Sequence, residues 1–327
     1  MPTQTVPLEL VDLAEVRRAA TRRRDAVEGD ALDRKVIVIV NGKGGVGKSS
    51  LSAAIAVAIA KIGKRVLLVE MDEQGNNGED LGFTGKPLDD GGQAQAAAVL
   101  EGKPLAPTGH ARPNLFVVPG GDHLEDVVEE LYVQRRHAKE TGDTTWMSMY
   151  AAALDTVRDD YDLIILDVAP GSEVLQLQAL VAGDTVLIPS KSDPSSRKGL
   201  RTVARRFVTA SDHNELLELL GVVLFATNSS ATKVQRNIKD SLEADLKGAA
   251  PVFEQTIRHV EAAAVHARKV GKVPQELRSD TSLDPGLRES MKKLAGDYQS
   301  MTIELLQALT ALNEPADDEA EEEGEEA

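Results

Sequence analysis

From Lys35 onward the chain alternates two kinds of apolar pattern. Short, continuous runs of aliphatic and β-branched residues, too brief for helices, read as strands buried on both faces: "KVIVIV", "RVLLVEMD", "NLFVVPG", "YDLIILDVAPG", "TVLIPS" and "GVVLFATN". Between them lie stretches with helical spacing: "SSLSAAIAVAIAKIG", a segment near "MYAAALDTVRDD", "EVLQLQALVAG" and "SSRKGLRTVARRFVTA". Strand and crossover helix in alternation predict an α/β fold with a doubly wound, mostly parallel sheet flanked by helices. Gly63 is placed to end the first helix. Residues 75–112, rich in Gly, Asp and Ala, read as a long surface excursion carrying one short helix.

A final helix is predicted over 285–312, with Leu287, Met291, Leu294, Tyr298, Met301, Leu305 and Leu309 on one stripe that covers the core or faces a dimer partner. Residues 1–34 form a polar, helical leader with Arg17, Arg18, Arg22, Arg23 and Arg24, either a solvated face or a partner contact. Residues 35–313 then make one α/β domain, and residues 314–327 a disordered acidic tail. Composition agrees with this division. Aromatics are only 3% of residues, so Val, Leu, Ile and Ala must build the core. The formal charge is −16, yet nine acidic residues of "EPADDEAEEEGEEA" account for more than half of it.

The absence of cysteine excludes disulfides, iron–sulfur clusters, thiolate zinc sites and cysteine nucleophiles. No run approaches the roughly 20 apolar residues of a membrane span, and the first residues lack a signal-peptide core. The expectation is a soluble, cytoplasmic protein that does not act at a membrane.

Three motifs carry chemistry. Gly42-Lys43-Gly44-Gly45-Val46-Gly47-Lys48-Ser49 fits G-x-x-x-x-G-K-[ST] and lies between a strand and a helix, where backbone N–H groups and a helix dipole converge on phosphate oxygens. Lys48 can reach the β and γ oxygens, and Ser49 can ligate Mg²⁺. Asp167 ends the strand "YDLIILD", a position suited to a metal carboxylate. Asp72 follows "RVLLVEM" on the same carboxyl-end rim, placed to orient a water or simply to cap a turn.

"KGGVGKSS", "RVLLVEMDEQGNN", "YDLIILDVAP" and "TVLIPSKSDPSSRKGL", in that order, resemble the deviant Walker A P-loop ATPases of the ParA/MinD group, above all the ParA (Soj) partitioning branch. The resemblance implies an ATPase that uses ATP and Mg²⁺, slow until a partner stimulates it. Lys43 would be the signature lysine that crosses an ATP-sandwiched homodimer to the opposite subunit's phosphates. Lys48 would hold phosphate in its own subunit, and Asp72 would position the hydrolytic water, so Lys43, Lys48 and Asp72 are the catalytic candidates. Gly42 to Ser50 would surround the nucleotide, with Ser49 as the Mg²⁺ ligand and Asp167 holding the metal through its water shell. Asn228 matches the family's adenine contact, or is an ordinary strand-end asparagine. Two departures stand out: Glu70-Met71-Asp72-Glu73 replaces the family's Asp-x-Asp-Pro, which leaves the hydrolysis rate open, and "DVAPG" replaces Asp-x-Pro-Pro.

The resemblance also implies nonspecific double-stranded DNA binding, a nucleoid location and a ParB-like centromere-binding partner. Arg197 and Arg201 on the "SSRKGLRTVARRF" helix, with Arg258, Arg268, Lys269 and Lys272 further on, are the candidate phosphate contacts, against the alternative of ordinary solvated charges. The rival function is a MinD-like or other protein-positioning switch that does not act through DNA. A nonhydrolysing nucleotide-gated binder is a further alternative.

Overall fold

The computed structural model describes residues 33–191, 194–227, 232–246, 248 and 250–314. The arginine cluster of the leader, Asn228 and all but the first residue of the acidic tail lie outside these.

Seven strands form one sheet: β1 (Val36–Ile39), β2 (Val66–Met71), β3 (Gly109–Arg112), β4 (Leu115–Val118), β5 (Leu163–Val168), β6 (Thr185–Ser190) and β7 (Glu218–Leu224). Their spatial order is β3-β4-β2-β5-β1-β6-β7, all parallel except the β3–β4 pair at one edge. The continuous apolar runs arise because side chains alternate between two cores. Val36 and Val38 join one apolar cluster while Ile37 and Ile39 join the other.

The helices are α1 (Lys48–Lys61), α2 (Asn76–Leu81), α3 (Gln93–Glu101), α4 (His123–Thr141), α5 (Met149–Asp155), α6 (Glu173–Ala182), α7 (Pro194–Ser211), α8 (Thr232–Leu246), α9 (Glu261–Lys269), α10 (Pro274–Leu277) and α11 (Pro285–Asn313). Helix α1 is buried on nearly every side between the sheet and α11, which accounts for its Ala-rich sequence. The predicted stripe of α11 covers this core: Met291, Leu294, Tyr298, Met301, Leu305 and Leu309 are buried. Its start is set by Pro285 and by Asp284, whose carboxylate accepts the N–H of Leu287 at 2.9 Å.

Two regions differ from the expectation drawn from the sequence. Residues 75–112 hold two helices and the edge strand β3 rather than one short helix, and Asn77, Gln95 and Leu105 within them are buried. The 19-residue α4 is absent from the sequence-based expectation: its buried residues Leu124, Val127 and Leu131 do follow helical spacing, but only over its first half, and its remaining positions are exposed or half-buried.

Candidate nucleotide and metal site

Sheet register assembles the site. Asp167 at the end of β5 lies directly beside Ile39 of β1 and Glu70 of β2, so the phosphate-loop entry and the two carboxylates share one rim. The loop is held by what its glycines lack. Gly45 and Gly47 adopt left-handed backbone conformations, and a Cβ on Gly47 would stand 2.2 Å from Cζ of Phe225. Gly199 of α7 closes the loop's base from the other side, since a Cβ there would meet Oδ1 of Asn41 at 2.1 Å. Asn41 in turn donates to the Pro189 carbonyl at 2.8 Å and accepts the N–H of Lys43 at 2.8 Å. Asn41, Gly199 and Phe225 carry no motif signature, and only proximity reveals them.

Helix α1 begins at Lys48 with no side-chain cap and no acidic residue in its first turn, leaving its N-terminal N–H groups and dipole toward the loop. Lys48 is only 6% exposed and its Nζ donates to the Lys43 carbonyl at 3.4 Å. Burial holds the Lys48 ammonium below its ordinary pKa, while Asp167 and then Asp72 favour its charged form. Lys43 is half-buried. Ser50, expected at the nucleotide, turns its hydroxyl to Asp80 at 3.4 Å.

The carboxylate side is tightly packed. Glu70 and Asp167 are each 1% exposed. Burial, followed by the charge of Asp167, pushes Glu70 up to about 8, against hydrogen bonds from the N–H groups of Asn77 at 2.7 Å and Gly120 at 3.3 Å. Burial likewise pushes Asp167 up to about 6, against the Ser49 hydroxyl, the Lys48 ammonium and the Asn77 amide. Oδ2 of Asp167 accepts from Nδ2 of Asn77 at 2.7 Å, while Oδ1 is buried without a hydrogen-bond partner. Such an unsatisfied carboxylate oxygen beside Ser49 suits a hard divalent cation or its water shell. Asp72, also buried, forms a turn by accepting the N–H of Gln74 at 3.0 Å. Lys43, Lys48, Ser49, Asp72 and Asp167 therefore occupy one end of the sheet.

The candidate polyanion contacts divide into two groups. Arg201 on α7 is exposed, and so are Lys269 at the end of α9 and Lys272 just beyond it; the side chain of Arg197 lies outside the described residues. Arg258 is instead forked onto Asp297 through two bonds of 2.6 Å, and Arg268 pairs with Glu79 at 2.7 Å and Asp80 at 3.5 Å. Both guanidiniums are already answered by this chain's own carboxylates.

The profile of the AAA domain family (AAA_31) matches residues 34–219, more than half of the chain. The chromosome-partitioning ATPase Soj of Thermus thermophilus is 30% identical over 190 residues, covering 58% of this chain and 68% of that protein. The sporulation initiation inhibitor protein Soj of Bacillus subtilis is 31% identical over 194 residues, covering 58% and 72%. Among solved structures, pnob8 ParA superimposes with a TM-score of 0.60 at 20% identity, covering 85% of this chain and 99% of that one. With a phosphate loop that carries Lys43 and an aspartate at the end of β5, the chain belongs to the ParA/Soj family of P-loop ATPases.

Proposed function

We propose that this protein is a Mg²⁺-dependent DNA-partitioning ATPase that dimerises around ATP, binds DNA without sequence preference as a dimer, and hydrolyses ATP when a ParB-like partner engages it. The observation that carries this reading is the second lysine, Lys43, at the base of a loop already rich in phosphate donors, in a chain whose relatives are partitioning ATPases. Lys48 and the first turn of α1 bind phosphate within the subunit. Lys43 serves the phosphates of the opposite subunit, and Asp72 orients the attacking water. Ser49 and Asp167 hold Mg²⁺, which when bound neutralises charge on the phosphates. Residues 35–313 act as the ATPase domain.

DNA retention by wild type and Lys43→Ala, with ATP or ADP across a salt series, tests the reading. Wild type retains DNA only with ATP, with affinity that falls steeply as salt rises, and Lys43→Ala loses retention while still binding nucleotide. Equal retention with both nucleotides refutes the ATP-dimer mechanism. The ion pairs of Arg258 and Arg268 favour a second reading, a positioning switch that does not act through DNA. No retention at any salt selects it.

A further inference from the structure

Asn77 is absent from the phosphate-loop motif and is not a charged residue, yet it connects two of the site's carboxylates. It is the second residue of α2 and only 1% exposed. Its backbone N–H donates to Oε1 of Glu70 at 2.7 Å, and its side-chain Nδ2 donates to Oδ2 of Asp167 at 2.7 Å. One residue thus links the ends of β2 and β5 through two directional bonds. Glu70 is itself braced by the N–H of Gly120, a position where a Cβ would stand 2.2 Å from the Asp72 carbonyl oxygen and 2.9 Å from Cγ of Glu70. The next N–H, of Gly121, donates to that Asp72 carbonyl at 3.1 Å. A continuous bonded frame therefore runs from the Asp72 turn through Glu70 and Asn77 to Asp167.

Two oxygens in this frame have no donor within hydrogen-bonding distance, the nearby Ser49 hydroxyl included. Oδ1 of Asn77 and Oδ1 of Asp167 are both buried and without hydrogen-bond partners, although they belong to side chains bonded to each other. Buried acceptors are rarely left this way, and two on adjacent groups call for a shared donor. A hydrated divalent cation supplies such donors, because Mg²⁺ keeps several of its waters and turns their O–H groups outward.

We propose that Asn77 is a positioning residue for the metal site: its amide N–H fixes the carboxylate of Asp167, and its amide oxygen accepts from the water shell of Mg²⁺. This rests on the ATPase reading above. Its consequence is that Mg²⁺ affinity, rather than phosphate affinity, depends on Asn77. Losing a partner that orients a metal ligand commonly weakens metal binding by about 10- to 100-fold.

The test titrates MgCl₂ into full-length protein with a fluorescent ATP analogue, and measures analogue binding in EDTA separately. Asn77→Ala should raise the Mg²⁺ concentration at half-maximal response by about tenfold or more, with affinity in EDTA unchanged. Asn77→Ser, too short to span to Asp167, should do the same and serves if the alanine variant folds poorly. An unchanged Mg²⁺ midpoint in both variants overturns the proposal. So does an equal loss with and without Mg²⁺, which marks a purely structural role. If wild type binds the analogue with no response to Mg²⁺, the ATPase reading itself fails.

Discussion

Replacing Glu70 by glutamine removes a carboxyl that the fold keeps protonated well above the ordinary range, and the effect should appear as a change in how stability depends on pH. Glu70 is buried beside Asp167 and is pushed from 4.5 to about 8. The folded chain thus retains a proton that the unfolded chain releases near pH 4.5. Unfolding releases protons throughout this window, so the folded state loses stability as pH rises from about 4.5 to about 8. A displacement of that size corresponds to on the order of 5 kcal/mol, shared with the neighbouring Asp167, whose raised value acts in the same direction up to about pH 6. Urea unfolding of nucleotide-free protein in EDTA, from pH 5 to pH 8, measures the loss. Wild type should lose about 3 kcal/mol or more. Glu70→Gln keeps an acceptor for the Asn77 N–H but places an amide against one donor, costing about 1 kcal/mol at all pH values. Its decline between pH 5 and 8 should be less than half that of wild type. Equal declines in the two proteins would refute the assignment of this proton to Glu70.

Other perturbations separate the roles of neighbouring groups. Gly47→Ala combines a left-handed backbone with a Cβ 2.2 Å from Phe225, so nucleotide binding measured by analogue fluorescence should fall at least tenfold; Phe225→Ala in the same chain relieves the clash but not the backbone strain, and restores binding only in part. Arg258→Ala removes a forked, part-buried ion pair and should cost about 1 to 3 kcal/mol in urea unfolding, whatever it does to DNA. Lys269→Ala and Lys272→Ala should leave stability unchanged and each reduce the salt slope of DNA binding by about 1; an unchanged slope removes them from the contact surface.

Much of the fold is legible in the chain because a buried parallel strand has a pattern that few other structures share. "KVIVIV" and "YDLIILDV" must hide both faces, and each lies where an aliphatic run predicts. Lys48, Ser49 and the glycines are readable because phosphate binding demands a local geometry that one short stretch supplies. Helix α4 escapes notice because its helical spacing, Leu124, Val127 and Leu131, is confined to its first nine residues, and the remaining ten bury no side chain. The ion pair of Arg258 is equally invisible, since its partner Asp297 lies 39 residues away on α11.

By itself, the sequence determined a phosphate loop between a strand and a helix, an aliphatic sheet with helices on both faces, and acidic residues at strand ends. Only the tertiary structure decided what those residues face. Sheet order places β5 between β2 and β1, which sets Glu70 against Asp167 across 97 residues of chain, raises both pKa values through shared burial, and brings Asn77 between them. Local pattern records which side of a strand is apolar, but a carboxyl's proton and an amide's bonding partner depend on neighbours that only long-range pairing supplies.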